Sequence, residues 1–177
     1  GLMSIATVQP VPVTIASLQT GVEVTNLATM FQARWKLPNG LPVIDVKDFH
    51  CEILGGTVTS PGLLIDMAKP HYQTTFSLRS LDLAKILSVE QQRGLLGSGR
   101  LNGTLPMTIT PAGVVIEDGV VEAQPPGGVI RYMPTAESTK IISESDSPLS
   151  LVSQALNNFH YTLLRVGVEY ADDGTLD

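Results

Sequence analysis

Cysteine is all but missing from this chain: Cys51 is the only one among 177 residues, so no intrachain disulfide can form. That scarcity is neutral about compartment, because a protein in an oxidising space need not carry disulfides. Basic residues are also few, 11 against 17 acidic ones for a formal charge of −6. With no basic stripe, nucleic acid is a poor partner and electrostatic docking on anionic headgroups is disfavoured. No apolar run approaches the ~20 residues of a membrane-spanning helix, and no signal peptide is visible.

The residues of catalysis are thin as well. His50, His71 and His160 are too far apart for a zinc-type spacing. Cys51 follows His50, but neighbours on a strand point to opposite faces, so a buried thiol is the better reading than a nucleophile pair. Ser98 in "GSG" lacks the G-x-S-x-G elbow. Asp45, Asp48, Asp118, Asp172 and Asp173 sit at turn signals, where aspartate is common for backbone reasons. No catalytic set assembles, and the expectation is a protein that is not an enzyme, with no metal and no cofactor.

What the chain does have is apolar residues, 43% of the total, enough for the core of one domain spanning residues 1–177. Twelve prolines and sixteen glycines spread among them predict many short elements joined by turns. Val13, Ile15 and Leu18 form a first strand pattern. In "NLATMFQARWKL", Leu27, Phe31, Ala33, Trp35 and Leu37 share one parity while Gln32, Arg34 and Lys36 take the other, the alternation of a half-buried strand. Ile44 and Val46 restart it, but Phe49, Cys51 and Ile53 have opposite parity, so a bulge near Lys47-Asp48 is expected. Tyr72 to Leu78 reads as a further strand. "GSGRLNGTLPMTIT" puts Leu101, Leu105, Met107 and Ile109 on one face, with Pro106 marking an edge or a bulge. Asp118-Gly119 has the signature of a two-residue hairpin turn.

The stretch "VVIEDGVVEAQPPGGVIRYMP" raises the question of a phosphate loop. Such a loop needs glycines that open a helix, whose N-terminus supplies N–H donors. Gly127 and Gly128 lead instead into the β-branched "VIRY", so a bend with a positive φ is expected there. Gly97, Gly99 and Gly103 fail the same test. Helical spacing appears twice. Leu83, Ile86, Leu87 and Leu95, with Ser80 or Asp82 as N-cap, predict one or two short helices. After Ser147-Pro148, Val152, Ala155, Leu156, Phe159 and Leu163 follow i, i+3, i+4, i+7 and predict the chain's best helix. The fold class expected is therefore α+β: mostly β with two or three helices, a twisted antiparallel sheet, groove-forming or partly open, with the C-terminal helix packed on it. The apolar strand faces have two readings, an ordinary core or an open groove for acyl chains, since both share one binary pattern.

Four segments, "LRSLDLAKIL", "GSGRLNGTLPMTIT" with "GVVIEDGVVEAQPPGGVIRYMP", "ALNNFHYTLLRVGVEY" and "DDGTLD", together resemble the C-terminal region of the YdbH-type proteins. This is the dicarboxylate-transport-domain family, within the AsmA-like group of Gram-negative envelope proteins. The resemblance covers roughly residues 20 to 177. It implies a C-terminal fragment of a long β-rich bridge across the periplasm, with an inner-membrane anchor outside this fragment. Such a bridge carries phospholipid between the two membranes in a hydrophobic groove and meets a small outer-membrane lipoprotein by strand addition. On that basis Leu101, Leu105, Met107 and Ile109 are candidates for contact with phospholipid acyl chains. Val166, Val168, Tyr170 and Leu176 are candidates for the docking edge, and the unfinished hairpin after Asp172-Asp173-Gly174 agrees with a sheet that continues. The alternatives are an interaction module that docks the lipoprotein without touching lipid, or a periplasmic binder of small dicarboxylates.

Overall fold

The strand patterns and turn signals combine into a meander in which almost every strand pairs with its sequence neighbour. A computed structural model describes residues 3–19, 21–89, 95–132, 158–171 and 175. In chain order the elements begin with Met3–Ala6 (β1), Val11–Gln19 (β2), Glu23–Leu37 (β3), Val43–Ile53 (β4), Gly56–Asp66 (β5) and Tyr72–Asp82 (β6). Leu83–Val89 (α1), Leu95–Ser98 (β7), Arg100–Ile109 (β8) and Val114–Ala123 (β9) follow. Gly128–Tyr132 (β10), Phe159–Tyr161 (β11) and Arg165–Tyr170 (β12) close the described chain. The main sheet has nine strands in the order β1-β3-β4-β5-β6-β8-β9-β12, with β2 also on β3. All its ladders are antiparallel. The long β3 serves β2 with residues 23–31 and β1 with residues 34–37. A second sheet of three strands runs β11-β10-β7.

Five strands carry a residue with positive φ in mid-run: Asn26 on β3, Asp48 on β4, Gly62 on β5, Ser80 on β6 and Asp118 on β9. Each inserts a bulge or kink that bends the strand and moves following side chains to the other face. The register proves the effect. Lys47 and His50 lie opposite Met30 and Ala28, which are two apart on β3, so Val46 and Phe49 share the remaining face. This is the parity change expected near Lys47-Asp48. Likewise Leu78 and Leu81 sit opposite Gly103 and Leu101, and the bulge at Ser80 puts both leucines on one side.

The best-packed core gathers at one end of that face. Leu78, Leu81, Leu83, Leu101 and Tyr161 are buried together, with Ile53, Leu54, Val58, Leu105 and Ile130 against them. The small sheet and α1 cover this end. Asp82, not Ser80, caps the helix, its Oδ1 accepting from the Ala84 N–H at 3.0 Å. Tyr161 donates its hydroxyl to the Ser98 carbonyl at 2.8 Å. Gly127 has φ 97° at the bend between β9 and β10, so the Pro-Pro-Gly-Gly stretch is a turn leading into a strand.

Three expectations are overturned. Strand makes up 71% of the described residues and α1, with seven residues, is their one α-helix, so the described fold is mostly β and not α+β. Among the described residues no C-terminal helix packs on the sheet: Phe159 to Tyr161 is β11, paired with β10, and Leu163 is 77% exposed. Val152, Ala155 and Leu156 of the helical pattern lie outside the described residues. The 3.6-residue spacing ended in Phe-His-Tyr, a β-favouring run, and sheet pairing with a buried Tyr161 prevails there over periodicity. Asp118-Gly119 is likewise not a hairpin turn. β9 runs straight through it, and Asp118 at φ 55° is a bulge between Ile116 and Gly119. Asp-Gly signals a willingness to adopt positive φ, which a bulge needs as much as a turn does.

Candidate functional site

With the bulges in place, apolar side chains from every strand of the main sheet fall on one side. Ile5 pairs with Trp35, Phe31 lies between Val11 and Val46, and Val46 faces Leu63. Farther along, the Phe49 and Phe76 rings meet edge to face at 5.7 Å across the intervening β5. Phe76 then pairs with Leu105, and Met107 with Ile116. The face is therefore continuous from β1 to β12.

The cover on it is uneven. Leu101 is only 5% exposed and belongs to the packed core, and Leu105 rests against that core. Met107 and Ile109 are half-buried, with Thr74 and Tyr72 as cross-strand neighbours. Toward β1 the cover thins out: Met3, Ile5 and Trp35 are exposed at 58%, 51% and 45%. The four candidates on β8 thus share one face but span its two regimes, from packed core to half-open surface. Sequence reasoning did not single out Ile5, Phe31, Trp35, Val46 or Leu63 for the same surface. The alternation in β3 was the available signal.

At the far edge, β12 pairs with β9 through Val166 on Val121, Val168 on Gly119 and Tyr170 on Ile116. Arg165 and Glu122 add an exposed ion pair at 3.1 Å. The other edge of β12 has no partner strand among the described residues. Leu176 lies outside them. A long edge of unpaired N–H and C=O groups is a template for another strand.

Polar chemistry on this surface is sparse. Ser60 and Thr74 hydroxyls bond each other at 2.7 Å, and Thr74 also donates to the Gly62 carbonyl, which satisfies the kink in β5. Burial pushes the Cys51 thiol above its usual range, so it stays protonated at neutral pH and is not an activated nucleophile. His50 lies on β4, His71 in the connection before β6 and His160 on β11, so the fold leaves the three histidines on separate elements. Among the described residues no group of three or more His, Cys, Asp or Glu is placed to hold a metal ion, and no helix is long and apolar enough to cross a membrane.

The described residues thus form an open antiparallel sheet with one apolar face and, at β12, an edge strand that has no second partner among them. The profile of the YdbH-like family, described as intermembrane phospholipid transport protein YdbH, matches residues 2–177. The chain belongs to that family, whose transport between two membranes makes it a family of the cell envelope. No curated protein and no solved structure matches the chain.

Proposed function

We propose that this chain is a non-enzymatic segment of a longer periplasmic bridge that carries phospholipid between the inner and outer membranes of a Gram-negative envelope. Its inner-membrane anchor lies outside these residues. The observation that carries the reading is the continuous apolar face, covered by the small sheet and α1 at one end and thinly covered toward β1. Acyl chains laid on such a face leave water at about 0.8 kcal/mol per CH₂, which offsets the cost of taking a lipid out of its bilayer. Leu101, Leu105, Met107 and Ile109 form the strip of this path on β8, with Leu101 as its buried foot. The edge of β12 that has no partner strand among the described residues, from Val166 to Tyr170, supports docking of a small outer-membrane lipoprotein by strand addition. Leu176, the remaining docking candidate, lies outside the described residues.

The test is a photo-crosslinking residue placed at each position from Arg100 to Thr110 of the full-length protein in cells, with lipid adducts read by mass spectrometry. Adducts at Leu105, Met107 and Ile109 but not at Thr104 and Thr108 are expected. Protein adducts alone, or none, would mean that this face is a packed core and the segment is a docking module.

A further inference from the structure

A second surface gathers charge at the strand ends on the opposite side of the sheet, where Glu52, Thr57 and Arg79 alternate with the inward Cys51, Val58 and Leu78. The turn between β2 and β3, the Leu54-Gly55 turn between β4 and β5, the end of β6 and α1 enclose a cleft of about 720 Å³. Thr25, Glu52, Thr57 and Arg79 lie side by side in one cross-strand row on its wall. Glu52 and Arg79 are therefore two strands apart, roughly 10 Å between backbones, and form no ion pair with each other. Lys85 stands over Gly55, its Nζ 3.3 Å from where a Cβ would sit and Arg100 3.4 Å from the same point. Arg100 is already engaged by Asp82 at 3.7 Å and by the Gly55 and Ser80 carbonyls. Arg79 and Lys85 have no carboxylate partner among the described residues, and Glu23, which also lines the cleft, has no cationic partner among them. Ile53 and Leu54, at the same cleft, pack against the buried core.

Two cations and two carboxylates, held apart in one cleft beside apolar residues, match a ligand that carries both charges on a hydrophobic stem. We propose that this cleft binds the headgroup of a zwitterionic phospholipid of the phosphoethanolamine class. Arg79 and Lys85 take the phosphate, Glu23 and Glu52 take the ammonium, and Ile53 and Leu54 meet the first carbons of the tails. The site lies at strand ends, so a lipid whose chains rest on the apolar face can hang its headgroup over the rim into water. The proposal rests on the phospholipid-transport reading and adds headgroup selection to it.

The test uses the full-length protein and three probes: dihexanoyl-phosphatidylethanolamine and dihexanoyl-phosphatidylglycerol, both below their micelle concentrations, and inorganic phosphate. Binding is measured by calorimetry for the wild type, for Arg79→Gln with Lys85→Gln, and for Glu23→Gln with Glu52→Gln. All four side chains are exposed, so these charge-removing changes leave the fold intact, which a thermal melt checks. The wild type is expected to prefer the phosphatidylethanolamine. Removing the cations should weaken both lipids about fivefold or more, and removing the carboxylates should weaken only the phosphatidylethanolamine and erase the preference. Equal affinity for the two lipids in the wild type, or no change in either variant, overturns the site. Inorganic phosphate binding as tightly as the lipid overturns it too, in favour of a free-phosphate site. Organic extracts of the purified protein separate the two readings. Lipid in the extract with no effect of the variants removes only the headgroup site, whereas no lipid in the wild-type extract removes the transport reading and the site with it.

Discussion

Replacing Leu101 and Met107 by alanine, one at a time, reads out how the covered and half-open parts of the apolar face differ. Leu101 is 5% exposed and touches a core of Leu78, Leu81, Leu83 and Tyr161. Truncating a buried leucine removes its transfer free energy and leaves a cavity, together about 2–5 kcal/mol. The core is small, with no side chain below 2% exposure among the described residues, so its neighbours can partly relax and about 3 kcal/mol is expected. Met107, half-buried on the same strand, loses only the covered part of its side chain and should cost about 1 kcal/mol. In urea denaturation, a slope of about 2 kcal/mol/M converts these to midpoint shifts of about 1.5 M and 0.5 M. Equal shifts would refute the reasoning, because they would mean that Met107 is as tightly packed as Leu101 and the face has no open part.

Gly127→Ala should destabilise by about 2 kcal/mol or more, since φ is 97° and a Cβ there collides with the Tyr161 carbonyl; Gly167→Ala, with nothing within 4 Å, is the control and should shift the melt little. Tyr161→Phe removes the hydroxyl donor to Ser98 and should cost about 1 kcal/mol in the same assay while leaving the circular dichroism spectrum unchanged. Cys51 and Tyr161 both hold their protons more tightly in the folded state because burial desolvates the anions. Their contribution to stability is then complete below the unfolded values of about 8.5 and 10 and declines as pH rises through each folded value. The urea midpoint should therefore fall on going from pH 8 to pH 10, and less so in Cys51→Ala. Alkylation of Cys51 at pH 8 should be slow in buffer and fast in urea.

Much of the sheet was legible because alternation records burial directly. The parity break between Val46 and Phe49 demanded a bulge, and Asp48 supplies it with φ 52°. The bend at Gly127 followed from what comes after the glycines. What misled was local chemistry with two uses. Asp118-Gly119 offers positive φ to a turn or to a bulge, and only the neighbouring strands β8 and β12 decide which. Phe159 and Leu163 fit a helical stripe, yet the partner that claims Phe159 to Tyr161 is β10, some thirty residues earlier in the chain. Long-range pairing of that kind leaves no periodic trace. The β8 candidates were legible as one face, but their division into core and half-open surface was not, since it depends on where the small sheet lands.

The bulges have a consequence for how such a surface can be extended. Each bend is written within its own strand, so the profile of the face depends on where along the strand the positive-φ residue falls. The reach of the face depends on something else, the number of strands side by side. The eight strands along the sheet path span about 35 Å at about 4.8 Å per step. Width and length are thereby set independently, as in an extruded rail. Inserting a further hairpin with its own bulges would lengthen the rail by two steps and leave its profile unaltered.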